Sequence, residues 1–196
     1  MTTLRLARIA PLLALTASAT CAAAPCEAAH YAFDQKQTVV RFACDIGLGT
    51  QRGRFTRVEG QVDYEPRTPD QTKVSARVAT ASLTTGEPMM DDVLKGSDFF
   101  NVRTHPRMTF VSRSVRATGS QAAVMQGDIT VNGITRPVKL AVSIAAHESK
   151  LKYAGTALEF VARTRIKRSA FNMTAYASMA SDDVDIEIDA LLRKTP

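Results

Sequence analysis

From Thr38 onward the chain alternates apolar and polar residues with a period of two, and that alternation constrains the fold more than any other feature. Val40, Phe42, Cys44 and Ile46 share one face, with Arg41 and Asp45 opposite. The same pattern returns in Val58, Val62 and Tyr64, in Val74, Ala76 and Val78, and in Met108 and Phe110. A hairpin follows: Ile129 and Val131 precede an Asn132-Gly133 turn, and Val138, Leu140 and Val142 come after it. Leu158 to Ile166 and Val184 to Ile188 supply two more alternating runs. Half-buried strands joined mostly by short polar turns predict an antiparallel sheet with one wet face. Closing that sheet into an eight-stranded barrel removes its exposed edges. A barrel of that size is either filled by its own side chains or holds one small ligand. The fold class is therefore all-β with one or two short helices, in a single domain over residues 30–193.

The spacing predicts a helix at Pro88 to Lys95. Pro88 suits a first helical position, Met89 and Val93 fall on one face, and Gly96 can end it. So short a helix is expected to cap one end of the barrel. Nothing in the chain reads as a repeat, a linker or a second domain.

Met1 to Ala19 has the order of a secretory signal. Arg5 and Arg8 precede an apolar run, Ile9 to Ala17, and Ala17-Ser18-Ala19 is a small-residue cleavage site, with cleavage as late as residue 23 also compatible. The run is too short to span a bilayer, which takes about 20 apolar residues in a helix. The expectation is export to the periplasm as a soluble protein. Cleavage takes away two arginines and no acid, so the formal charge falls from +6 to +4. In an oxidising compartment Cys26 and Cys44 are candidates for a disulfide, with three unlinked thiols as the alternative.

The function classes that these residues disfavour are numerous. Cations such as Arg41, Arg77, Lys139, Arg163 and Arg165 alternate with apolar residues instead of clustering beside aromatic platforms, which argues against nucleic acid. A membrane-spanning barrel needs aromatic girdles, and the chain has no Trp and only 4 Tyr. His30, His105 and His147 sit in separate segments without metal-ligand spacing. Asp91 and Asp92 are adjacent on the helical stretch, so they point to different faces; one held by a single partner suits them better than paired acid–base work. No nucleophile elbow, phosphate loop or dinucleotide fingerprint is present. The expectation is a binding protein, not an enzyme, with no cofactor. Inward apolar residues remain, among them Phe42, Phe55, Phe110, Phe160 and Phe171, which either fill the barrel or line a cavity.

Five segments in order resemble the YceI-like family of periplasmic lipid-binding barrels. They are the opening strand and Gly-x-Phe turn at Phe42 to Phe55; the helical segment through Asp91, Leu94, Ser97-Asp98-Phe99, Pro106 and Thr109-Phe110; the hairpin at Gly127-Asp128-Ile129-Thr130 and Asn132 to Val138; Ile166 to Asn172; and Val184 to Ile188. The resemblance runs from about Tyr31 to Leu191. It implies an extended lipocalin-like barrel with an apolar interior, holding a polyisoprenoid, quinone-like or fatty-chain lipid for storage or transport. Residues implied to line that interior are Phe42, Phe55, Val62, Met89, Met90, Val93, Phe110, Leu140, Phe160, Phe171 and Ile186. Service to a membrane redox system, with a quinone-like isoprenoid as cargo, and turnover of a lipid stay open as other readings. Transient contact with a membrane surface and a homodimer are also compatible. Ala170 and the Pro88-Met89-Met90 run depart from the family pattern.

Overall fold

The computed structural model describes residues 29–64, 68–144 and 157–195. In chain order the strands are β1 (Ala29–Phe33), β2 (Val39–Asp45), β3 (Thr50–Phe55), β4 (Val58–Tyr64), β5 (Lys73–Ala79), β6 (Leu83–Thr84), β7 (Arg107–Ala117), β8 (Ala122–Val131), β9 (Ile134–Ile144), β10 (Ala157–Lys167) and β11 (Asp183–Lys194). One α-helix, α1 (Pro88–Lys95), lies between β6 and β7, over the residues where the sequence predicts it.

All pairings are antiparallel. The order β1-β4-β5-β7-β8-β9-β10-β11 returns to β1, so eight strands close a barrel. β2, β3 and β6 extend it at one end: β11 pairs β2 along Val184 to Asp189 and β1 along Leu192 to Lys194. In effect β1 and β2 are one interrupted strand, as are β3 with β4 and β5 with β6. Polar side chains bridge the breaks. The buried Thr38 hydroxyl donates to the Leu191 carbonyl and accepts the Leu191 N–H, both at 3.2 Å. Across the second break the Ser82 hydroxyl accepts the N–H groups of Thr56 and Arg57 at 3.2 and 3.1 Å. Without such partners each interruption would leave backbone polar groups unpaired.

Two irregularities show how local chemistry bends the ladder. The register of β7 on β8 shifts between Ser112 and Ser114, a bulge. Before it Met108 and Phe110 face inward; beyond it Val115 and Ala117 do. The β9–β10 ladder covers only Ile144 to Ala141 against Phe160 to Arg163. Toward the hairpin turn Pro137 has no N–H to give, and the Thr164 hydroxyl instead donates to the Lys139 carbonyl at 2.8 Å. The turn itself is Asn132-Gly133, with φ of +50° and +73°, the left-handed pair that a two-residue hairpin requires.

Apolar packing concentrates at the two ends. At the α1 end Phe55, Leu83, Leu94, Met108, Val131, Phe171 and Met173 form a buried cluster. Tyr31, Val62 and Leu192 form a second, with Phe33, Tyr64, Val74, Leu158 and Phe160 against it.

Candidate ligand cavity

The inward faces of the strands do not meet across the barrel. Phe42, Phe110, Phe160 and Ile186 all point inward yet are only half-buried, because they border empty space. That space is a cavity of about 860 Å³. Its wall draws on every strand of the closed ring, from Val62 and Val74 through Val115, Met125, Leu140 and Ala162 to Ile188 and Ala190. Strict alternation on the strands produces this lining: residues i and i+2 face in, and Arg or Asp between them faces water. The outer face is closed by cross-strand ion pairs, Arg163 with Glu187 (2.7 Å), Arg165 with Asp185 (2.6 Å) and Lys167 with Asp183 (3.1 Å).

At the α1 end the lining continues to the surface. Leu48 in the β2–β3 turn is fully exposed, and Tyr176 and Met179 in the segment before β11 are largely so; all three belong to the cavity wall. The cavity therefore opens beside that turn, α1 and the segment 172–182. The Tyr176 ring stacks on Phe99 with centroids 6.1 Å apart.

One charged group borders the cavity among the described residues, and sequence reasoning missed it: Arg168. It is 6% exposed. Its guanidinium donates to four carbonyls, those of Ser181 (2.9 Å), Met173 (2.7 Å), Ala175 (2.7 Å) and Ala180 (3.0 Å). A planar fork with five donors suits that task, and it fastens the segment 172–182 to the end of β10. The available signal was the Lys167-Arg168 pair, since one of two adjacent cations must break the alternation. Nearby, the Cys44 thiol donates to the Ser181 carbonyl at 3.3 Å. Desolvation raises its pKa, which favours the thiol form over the thiolate. The proposed Cys26 partner lies outside the described residues, as do the signal segment and His147.

Of the residues that the sequence implied, Phe42, Phe55, Val62, Met90, Val93, Phe110, Leu140, Phe160 and Ile186 border the cavity. Two do not, and both are corrections. Met89 is 85% exposed. On α1 it is Met90 and Leu94, four apart, that turn toward the core, which places Met89 on the outward side. Phe171 is 1% exposed and sits within the packed cluster at the α1 end. It belongs to a single 3₁₀ turn, Arg168–Phe171, where period-two alternation no longer applies.

Asp91 accepts hydrogen bonds from Thr85, while Asp92 is exposed, so the pair does not converge. His30 Nδ1 meets Asp63 at 2.7 Å on the outer surface, far along the chain from His105.

The barrel has counterparts among known proteins. The model of the YceI-like domain matches residues 31–192. The chain belongs to the YceI-like family. A relative described as a UPF0312 protein, from Ectopseudomonas mendocina, is 33% identical over 162 residues, which cover 81% of this chain and 84% of that one. Among solved structures, BcnA of Burkholderia cenocepacia superposes with a TM-score of 0.73 at 26% identity, covering 81% of this chain and 98% of BcnA. A polyisoprenoid binding domain from Saccharophagus degradans, implicated in plant cell wall breakdown, gives a TM-score of 0.66 at 12% identity, covering 86% and 99%. At that identity the likeness is one of fold. The YceI-like fold thus recurs across these structures.

Proposed function

We propose that this protein carries a long apolar chain, an isoprenoid or related lipid, inside the barrel, and that it does so in the periplasm. The observation behind the reading is the cavity of about 860 Å³, walled by apolar residues of a closed strand ring and reaching solvent beside α1. A hydrocarbon tail gains ~0.8 kcal/mol per buried CH₂, so a long chain can be held without a specific headgroup contact. Arg168, four of whose five donors go to backbone carbonyls, is in keeping with a site that grips the tail more than the head. The Saccharophagus domain, described as binding a polyisoprenoid on the same fold, supports the same ligand class.

Organic extraction and mass spectrometry of protein purified from its native host test this. One isoprenoid or fatty-chain lipid per folded chain is expected, and empty protein would overturn the reading. A quinone in the extract would instead favour service to a membrane redox system. Export is tested on the same sample by N-terminal sequencing. The expected start lies between Thr20 and Ala24, and an intact Met1 would refute it.

A further inference from the structure

Phe42 and Gly53 are directly opposed partners on β2 and β3, on the face that lines the cavity. A Cβ placed on Gly53 would lie 2.3 Å from Phe42 Cζ and 2.6 Å from Cε1. The far end of the ring thus occupies the space where any other residue would carry its side chain. Backbone conformation gives no reason for glycine here: Gly47, Gly49, Gly60, Gly86 and Gly133 have positive φ, and Gly53 does not. Room for the ring is the reason. Gly127 has a similar relation to Phe110, at 2.6 Å, but a Cβ there would also strike the Val111 carbonyl oxygen at 2.5 Å. Gly127 therefore answers to the backbone as well, and Gly53 is the cleaner case.

The ring of Phe42 has few directions in which to move. Phe55 and Phe100 stand beside it, with centroids 5.8 and 6.3 Å away, and both belong to the packed end. Cores of that density resist added volume. The cavity that Phe42 itself borders is the open direction. A side chain at position 53 would swing the ring inward and narrow the bore.

We propose that Gly53 is a specificity-determining residue: by letting the Phe42 ring lie against the wall, it keeps the bore wide enough for a methyl-branched isoprenoid chain and not only for an unbranched one. This rests on the carrier reading above. Gly53 acts through Phe42, so it is a positioning residue, and its effect is on the choice between chains of different thickness.

The test is a titration of delipidated protein with geranylgeraniol and with the unbranched saturated alcohol of equal carbon count, bound alcohol being read by native mass spectrometry. Wild type should take up both. Gly53→Val should weaken the branched alcohol by about ten-fold or more and the unbranched one much less, a loss of the size that overpacking produces. In a Phe42→Leu background the same Gly53→Val change should cost little, because no ring remains to be displaced. Equal loss of both alcohols, unchanged selectivity, or a defect that persists without the ring would overturn the proposal. Should Gly53→Val fail to fold, Phe42→Leu alone decides: its selectivity should move toward the branched alcohol, and an unchanged ratio counts against Gly53. Wild-type protein that binds neither alcohol overturns the carrier reading itself, and the role of Gly53 with it.

Discussion

The Asp91 carboxylate accepts both the backbone N–H and the hydroxyl of Thr85, at 2.6 and 2.7 Å. These bonds tie α1 to the segment that leaves β6, and through Leu94 they hold the helix over the packed end of the barrel. The Thr85 hydroxyl, then its N–H, holds the Asp91 carboxyl below the usual carboxylate range, with Lys95 adding to it. A carboxylate depressed in the folded state stabilises the fold above its unfolded pKa of about 3.9, and the benefit is lost as pH falls through the lower folded value. Asp91→Asn should therefore lower the melting temperature at about pH 7, with the gap to wild type closing as pH falls below the unfolded pKa and through the lower folded one. A gap that stays constant in acid would mean that the charge of Asp91 is not what matters.

Arg168 makes a different kind of anchor. Its four carbonyl partners all lie in the segment 172–182 that forms one side of the cavity opening. Hydrogen bonds to a charged donor contribute roughly 1.5–3 kcal/mol each and are not additive, so Arg168→Met should cost at least about 3 kcal/mol in chemical denaturation. Arg168→Lys should recover little of this, since one ammonium cannot reproduce the fork. Full recovery by lysine would show that charge alone suffices.

Much of this architecture is legible in the amino-acid sequence, and the gaps have physical causes. Regular alternation marks the long strands, and Pro88 with Gly96 marks the helix. β1 and β3 are not read as strands because they are the shorter halves of interrupted ones. Thr50 to Phe55 carries Arg52 and Arg54 outward but offers only Gln51, Gly53 and Phe55 inward, so no apolar stripe shows. The second half of β7 is hidden by its bulge, which flips the inward positions from even to odd numbers. Cavity residues are recoverable wherever a strand is regular, as at Leu140, Phe160 and Ile186. Where a turn or helix supplies the residue, burial depends on packing that no period reports, and Met89 and Phe171 show it. Whether inward residues fill the barrel or line it is a matter of its closed circumference, which is absent from any local window.

The contrast between Met89 and Phe171 gives a paired prediction. Met89→Lys changes an outward side chain and should leave the melting temperature and the lipid load unchanged within error. Phe171→Ala removes a ring from the packed cluster and should cost about 3–5 kcal/mol, with lipid per folded chain unaltered. A fall in lipid load with Phe171→Ala at temperatures where the variant is fully folded would place that ring in the ligand path after all.

Filling the cavity is the most direct perturbation of the proposed function. Ala162 on β10 faces inward and is half-buried, its open side being the cavity rather than solvent. In a packed core Ala→Phe would cost roughly 1–3 kcal/mol or more through overpacking. Here the new ring has space, and it would cover apolar wall that is otherwise bare. Ala162→Phe should therefore keep or raise the melting temperature of delipidated protein while sharply reducing the lipid recovered after purification. Loss of stability together with an unchanged lipid load would show that the barrel is packed around Ala162 and that the ligand lies elsewhere.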